Sequence, residues 1–362
     1  MTYICSTGLG IPNYRMPQEE VKQIVQKVFT YSLRQRSRLL PVFDNAQVNE
    51  RQFVVDSEWF LRDHSFKERN ELYTTYAKEY ALRAIDACLT NQQFLDEPVL
   101  YEEIDMIIFV SSTGIATPSM DIHLFNERPF RSDIKRMPLW GLGCAGGAIG
   151  LSRAYDWLTA NPDKSALIVC CELCSLTFQK GDMKKSNIIG TALFGDGISA
   201  ALAVGEKSLI LRKKKGSIPK LLQSHSYTKK ESISVMGWDI TDGGFEVIFS
   251  KSIPALVETF WREHLQIFLQ ATRINEQDIH SFIAHPGGKK VIDSMEKVLQ
   301  AKPEKFKHSI NVLRNHGNMS SATVLYVLGA WMKEAISKGE KSVISALGPG
   351  FSSELILMEW VD

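Results

Sequence analysis

The sequence has almost no charge imbalance: 42 Lys and Arg stand against 41 Asp and Glu, a formal net charge of +1 at pH 7. That removes the electrostatic footprint of a binder of nucleic acid or of acidic membranes. No apolar run approaches the roughly 20 residues needed to cross a bilayer. The N-terminus has no basic region, and its short apolar start is broken at Gly8, Gly10 and Pro12, so it does not read as a signal peptide. Cysteine is scarce too: the six are Cys5, Cys88, Cys144, Cys170, Cys171 and Cys174, three of them in one apolar stretch. This layout is a poor disulfide framework and suits the reduced thiols of a cytoplasmic protein. No Gly/Ser linker or low-complexity segment interrupts the chain.

What is present reads as a globular protein, with 44% hydrophobic and 23% charged residues. Its 362 residues exceed the roughly 250–300 at which a single core stops growing, which predicts two domains or one large fold in two halves. Short apolar runs predict strands at Ile104–Val110, Ala166–Cys171, Ile198–Val204, Leu209–Arg212, Ser281–Ala284, Ser342–Leu347 and Glu354–Glu359. Longer periodic segments predict helices at Glu71–Leu89, Ala145–Thr159, Ile253–Gln270, Gly288–Leu299 and Asn318–Ala335; the last carries Val324, Leu325, Leu328 and Trp331 on one face. The alternation indicates an α/β fold with helices covering a mixed sheet. The basic run Lys213–Lys215 before Gly216 reads as a solvated connection, and the midline falls near residue 205, between 1–205 and 206–362. Each half contains a strand, a Gly-rich turn, a long helix and a strand pair near its end (Ile198–Leu209 and Ser342–Glu359). That is the layout of an internal duplication.

Three turns carry candidate chemistry. In Gly141-Leu142-Gly143-Cys144-Ala145-Gly146-Gly147 a strand-like stretch (Met137–Trp140) runs through glycines into a cysteine and then a helix. A thiol there faces free N–H groups at a helix N-terminus, where the dipole favours thiolate. Cys144 is either a nucleophile or a buried thiol in a packing turn. His285 leaves the end of an apolar strand in His285-Pro286-Gly287-Gly288, the place where open α/β sheets bind ligands. Asn318, in His316-Gly317-Asn318-Met319-Ser320-Ser321, suits an N-cap as well as an oxyanion donor. Together the three make up a nucleophile, a base or imidazolium partner and an oxyanion donor. Two rivals are weaker. The C-x-x-C within Cys170–Cys174 lacks a second pair for a metal, and Gly195-Asp196-Gly197 has no phosphate-loop Lys-Ser/Thr after it.

Five motifs in order, Gly143-Cys144-Ala145-Gly146-Gly147, Leu193-Phe194-Gly195-Asp196-Gly197, His285-Pro286-Gly287-Gly288, Gly317-Asn318-Met319-Ser320-Ser321 and Gly348-Pro349-Gly350, resemble those of type III polyketide synthases. These are the chalcone and stilbene synthase relatives within the thiolase superfamily. The resemblance spans nearly the whole chain and is weakest over residues 13–70. It implies a thiolase-like fold, two duplicated halves in a five-layered αβαβα arrangement, working as a homodimer. It also implies roles. Cys144 would take the starter acyl group from its CoA thioester. His285 would keep that thiol ionised and, with Asn318, hold the malonyl-CoA carbonyl while CO2 leaves. The resulting enolate would then attack the acyl-Cys144 thioester. CoA thioesters would be substrates, with no cofactor, metal or carrier protein. Phe194 stands at the family's gatekeeper position.

The departures narrow the substrate. Val247 stands where the plant enzymes usually have a second gatekeeper Phe, Cys174 replaces a Thr, Ala145 replaces a bulky aromatic, and Leu347 precedes Gly348-Pro349-Gly350 in place of Phe. A pocket of Val247, Cys174, Thr177, Thr117 and Leu347 would suit a flexible alkyl chain better than a planar aromatic starter. In this the chain is similar to bacterial, Bacillus-type alkylpyrone synthases, which use long-chain fatty acyl-CoA. Arg51, Gly288, Lys289 and Lys290 are the candidate CoA phosphate contacts at the tunnel mouth. An initiating β-ketoacyl-carrier-protein synthase would share the Cys/His/Asn set but normally shows Asn in place of Gly-Gly after its His. A non-catalytic acyl-binding relative would have lost one of the three.

Overall fold

The computed structural model describes residues 1–29 and 32–362. Thirteen strands occur among the described residues: β1 Thr2–Gly10, β2 Tyr14–Pro17, β3 Glu50–Phe53, β4 Met106–Ser111, β5 Lys135–Trp140, β6 Ser165–Leu173, β7 Asp196–Gly205, β8 Ile218–Thr228, β9 Met236–Thr241, β10 Gly244–Phe249, β11 Ile279–Ala284, β12 Lys341–Gly348 and β13 Ser352–Val361. The α-helices are α1 Gln18–Val28, α2 Leu33–Leu39, α3 Pro41–Asn45, α4 Phe66–Leu89, α5 Met120–Glu127, α6 Gly146–Ala160, α7 Lys185–Leu193, α8 Ile253–Leu256, α9 Arg262–Thr272, α10 Lys289–Leu299, α11 Lys307–His316 and α12 Thr323–Met332.

Nine strands form one sheet in the order β11-β12-β13-β8-β1-β7-β6-β4-β5. Outward from its centre, β1-β7-β6-β4 and β8-β13-β12-β11 repeat one pattern: two antiparallel neighbours, then a parallel one. Within the sheet the halves join where β1 meets β8, through the pairs Thr2↔Leu221 and Tyr3↔Lys220. Every residue of β4, β6 and β7 is buried. Strands covered on both faces lose the in/out alternation and read as continuous apolar runs, which is why they were visible in the sequence.

Helices α6 and α12 touch each other and strands of both halves, so they form the middle layer. Their Ala148, Leu151, Leu158, Val324, Leu328 and Trp331 share one core with Ile108, Ile168, Ile344 and Ile356. On the outer faces α4 covers β1, β6 and β7, and α9 covers β8 and β13. The result is the αβαβα order of a thiolase-like fold. Helix α4 begins at Phe66, ahead of the expected Glu71, because Ser65 and Glu68 form a capping box. Among the described residues no helix is long and apolar enough to cross a membrane.

Some expectations fail for physical reasons. Leu209–Arg212 is not a strand but part of a 3-10 turn, Leu209–Lys213, in which only Ile210 is buried. Periodicity cannot separate so short an apolar run from a helical turn. β7 pairs antiparallel with β6 on one side and with β1, from the far N-terminus, on the other. The strand pair that ends the first half is therefore β6–β7 and not Ile198–Leu209, while β12–β13 ends the second. The helix expected over Ile253–Gln270 is interrupted by a π turn at Val257–Trp261. The one expected from Asn318 starts as a 3-10 turn, Ser320–Ala322, before α12.

Helices α6 and α12 cross at Gly147, where a Cβ would lie 2.2 Å from the Ser321 carbonyl oxygen and 2.6 Å from Val324. Gly147→Ala should therefore destabilise the protein by about 1–3 kcal/mol through overpacking. Urea unfolding measures this, and an unchanged midpoint would show that the two helices can separate without cost.

Candidate active site

Cys144 is set by the turn between β5 and α6. Gly141 (φ +83°) and Gly143 (φ +46°) take left-handed backbone that a side chain would strain. A Cβ on Gly143 would also meet the Pro349 ring at 2.7 Å. The 3-10 turn Gly143–Ala145 then delivers Cys144 to the N-terminus of α6, buried at 7% exposure. His285 follows β11 and is held by its N–H, which donates to the Ser345 carbonyl of β12 at 2.7 Å. Among the described residues neither of its ring nitrogens finds a hydrogen-bond partner. Asn318 follows α11, and its N–H donates to the Leu193 carbonyl at 2.8 Å.

The Asn318 side chain uses both ends of its amide. Oδ1 accepts the Ser320 N–H at 2.8 Å, an Asx turn in place of the N-cap that was one alternative, since Met319 occupies the cap position of the following 3-10 turn. Nδ2 points the other way, donating to the Gly287 carbonyl at 3.3 Å and lying 3.9 Å from Cys144 Sγ. Ser320 holds a left-handed backbone (φ +47°) beside the nucleophile. Behind it Glu172, fully buried, accepts from the Ser112 N–H at 3.0 Å, from the Ser112 and Thr113 hydroxyls, and from Ser321. Burial pushes this carboxyl up to about 7 against those bonds.

Cys144, His285 and Asn318 all line one cavity of about 320 Å³, with Leu193, Phe249 and Leu347. Gly288, Lys289 and Lys290 lie on it as expected, joined by three cations that sequence reasoning missed: Arg38, Lys185 and Lys251. Lone basic residues on separate elements leave no local pattern to find. Arg51 does not belong to this mouth. It is wholly buried, with its guanidinium on the carbonyls of Thr191, Ala192 and Phe194.

A second, apolar compartment lies next to the first. Cys174, Thr177, Phe194 and Val247 line it with Val21, Ile24, Phe53, Phe60, Gly190 and Trp238, leaving about 30 Å³ free. The Phe194 ring stands between Trp238 of this compartment and Phe249 of the catalytic one, with centroids 5.8 and 5.5 Å away. Leu347 lies in the catalytic cavity instead of this compartment. Thr117 lies in neither: it is exposed, next to a cis bond to Pro118. Trp238 and Phe249 come from the β9–β10 hairpin, which the sequence reading missed. Its signal was the Asp242-Gly243-Gly244 turn between alternating apolar residues.

Electrostatically the site is dry. Burial pushes the Cys144 thiol up to about 12, against bonds from Ser320 and Asn318, and pushes the His285 imidazole down to about 3. Each group alone resists charging. Both are held in their neutral forms by burial, and a charge on either would need a compensating charge on the other to leave the cavity neutral.

Residues 3–207 match the family described as chalcone and stilbene synthases, N-terminal domain, and residues 224–362 match its C-terminal domain. The chain is 46% identical over 361 residues, 99% of each sequence, to a protein of Bacillus subtilis (strain 168) provisionally named chalcone synthase. It is 30% identical, over 99% of itself and 92% of the relative, to 1,3,6,8-tetrahydroxynaphthalene synthase of Streptomyces coelicolor. The crystal structure of that synthase from Streptomyces coelicolor A3(2), a bacterial type III polyketide synthase, superposes with a TM-score of 0.91 at 29% identity, covering 99% of both chains.

If His285 is the proton acceptor, alkylation of Cys144 by iodoacetamide should be nearly flat between pH 6 and 9. In His285→Ala it should climb about tenfold per pH unit, because a thiol raised that far is titrating well below its pKa. Equal slopes in the two proteins would remove His285 from this task.

Proposed function

The chain belongs to the chalcone and stilbene synthase family and is a type III polyketide synthase, an acyltransferase acting on CoA thioesters; on that premise we propose that it loads a long-chain fatty acyl group on Cys144 and extends it with malonyl-CoA to tri- and tetraketide alkylpyrones. The observation that carries the reading is the convergence of Cys144, His285 and Asn318 on one buried cavity, with both imidazole nitrogens unpartnered. The nucleophile comes from the half at 1–205, and the other two residues from the half at 206–362.

In the loading step Cys144 Sγ passes its proton to His285 and attacks the starter carbonyl. The CoA sulfur leaves and takes the proton back from the imidazolium. Malonyl-CoA then enters, and its thioester oxygen receives hydrogen bonds from the neutral imidazole and Asn318 Nδ2. The bond to the carboxylate breaks, CO2 leaves, and the electron pair becomes an enolate whose oxygen those two donors hold. One such donor is typically worth roughly 2.7–4 kcal/mol of barrier. The enolate carbon attacks the acyl thioester carbonyl, a C–C bond forms, and the C–S bond to Cys144 breaks. The freed thiolate takes back the β-ketoacyl group from its CoA thioester for the next round, the departing CoA thiolate taking a proton from water, or is itself reprotonated from water when the chain leaves. Atoms and charge balance without a metal or cofactor.

The starter class rests on the apolar compartment behind Phe194. A flexible alkyl chain that threads past that ring would meet the apolar side chains of Val21, Ile24 and Val247, which line the compartment. Arg38, Lys185, Lys251, Lys289 and Lys290 would meet the CoA phosphates. The same reading makes the protein a cytoplasmic homodimer that draws on CoA-bound substrates, without carrier protein or nucleic acid.

Purified protein given malonyl-CoA and starters from acetyl- to stearoyl-CoA plus coumaroyl-CoA should yield alkylpyrones from the long chains, by mass spectrometry. Cys144→Ala should yield none. Condensation only with malonyl-carrier protein would move the chain to the fatty-acid initiating enzymes. Gly190→Val should shift preference toward short starters by about tenfold, because a Cβ there lies 3.2 Å from the Phe194 ring and 3.3 Å from Val247. Uniform loss on all starters would deny the compartment its part in chain selection.

A further inference from the structure

Strand β3 carries a buried arginine for which the proposed reaction has no task. Arg51 is fully enclosed, and among the described residues no carboxylate pairs with it. Removing a guanidinium from water is costly unless its donors are engaged. Its Nη1 donates to the carbonyls of Thr191 and Phe194, both at 2.9 Å, and Nη2 to that of Ala192 at 3.1 Å.

Those carbonyls are the C-terminal end of α7. Such groups have no partners within a helix and carry the negative end of its dipole. The segment they belong to is also the gate. Between the gripped carbonyls of Ala192 and Phe194 lies Leu193, whose carbonyl accepts the Asn318 N–H at 2.8 Å. One residue past Phe194, the Gly195 N–H donates to the Asn318 carbonyl at 3.0 Å. The gate backbone is thus held on one side by Arg51 and on the other by Asn318. There is no slack in this packing, since a Cβ on Gly195 would lie 2.2 Å from the His316 carbonyl and 3.1 Å from Arg51 Cβ.

We infer that Arg51 is a positioning residue for chain extension: by gripping the carbonyls on either side of Leu193, it sets where the Phe194 ring divides the two compartments and where Asn318 presents its amide. A planar fork can hold three carbonyls in fixed geometry, and an ammonium group cannot. The inference rests on the reading of the chain as a condensing enzyme and adds a residue to it. Loss of the fork should loosen the gate and Asn318 together, while Cys144, on another element, keeps its reactivity.

The test compares wild type with Arg51→Lys by thermal unfolding, Cys144 alkylation, CO2 release from malonyl-CoA and mass spectrometry of products. We expect Arg51→Lys to fold and to alkylate as wild type does. Condensation should fall by about tenfold, the scale of a charge-assisted hydrogen bond. CO2 released per extended product should rise, and the chain-length distribution should shift. Added to Phe194→Leu, Arg51→Lys should change chain length little further, because residues acting through one another are not additive. An unchanged CO2-to-product ratio and length distribution in Arg51→Lys would overturn the inference, as would full additivity. If Arg51→Lys fails to fold, Gln18→Met serves: Gln18 Nε2 also donates to the Ala192 carbonyl, at 3.0 Å. It should shift the same ratio in the same direction, and an unchanged ratio counts against the clamp. Wild type that extends no starter overturns the functional reading and this inference with it, whereas active wild type with an unchanged variant overturns the inference alone.

Discussion

The close approach of α6 and α12 is the constraint on which the site depends. Gly147 brings the first turn of α6 against the Ser321 carbonyl, so the N-terminal ends of two helices from different halves meet in the middle layer. Cys144 precedes one of them and Asn318 the other. With any larger residue at 147 the helices would part, and the 3.9 Å between Sγ and Nδ2 would open. The packing of the middle layer and the assembly of the reactive groups are one event.

Burial in that layer then decides the chemistry. The same desolvation pushes the Cys144 thiol up and the His285 imidazole down, so in the proposed mechanism a proton passed between them is the route to a nucleophile that leaves no net charge. It also strengthens any hydrogen bond offered to an enolate oxygen. Glu172 lies in the same dry region. Its bonds to Ser112, Thr113 and Ser321 join β6, the segment after β4 and the turn after Asn318, so a buried acid helps hold the catalytic turn in place.

Much of the architecture was legible because its strands are covered on both faces. β4 and β6 appear as nearly continuous apolar runs, β11 and β12 as shorter ones broken by serines, and the helices between them keep a clear period. Legibility failed where meaning depends on distant partners. Nothing local in Thr2–Gly10 says that it will lie at the centre of the sheet between β7 and β8. Leu209–Arg212 has the composition of a strand but no neighbour to pair with. Arg51 reads as a CoA phosphate contact at the tunnel mouth, because an arginine without a local partner suits an anionic ligand. Only the free carbonyls at the end of α7, more than a hundred residues away, give it a place inside.

What the sequence determined by itself is the chemistry available: a cysteine, a histidine and an asparagine, each at a tight turn next to a helix, in the order shared with condensing enzymes. Local composition suffices for this, because glycine, proline and a helix start are short-range signals. Tertiary structure alone decided which groups meet and in what environment. It gathered Cys144, His285 and Asn318 on one cavity, put Phe194 between that cavity and an apolar compartment, turned Arg51 inward and left Thr117 outside. The reason is that burial and proximity belong to contacts between segments far apart in the chain, and no window of the sequence contains both partners.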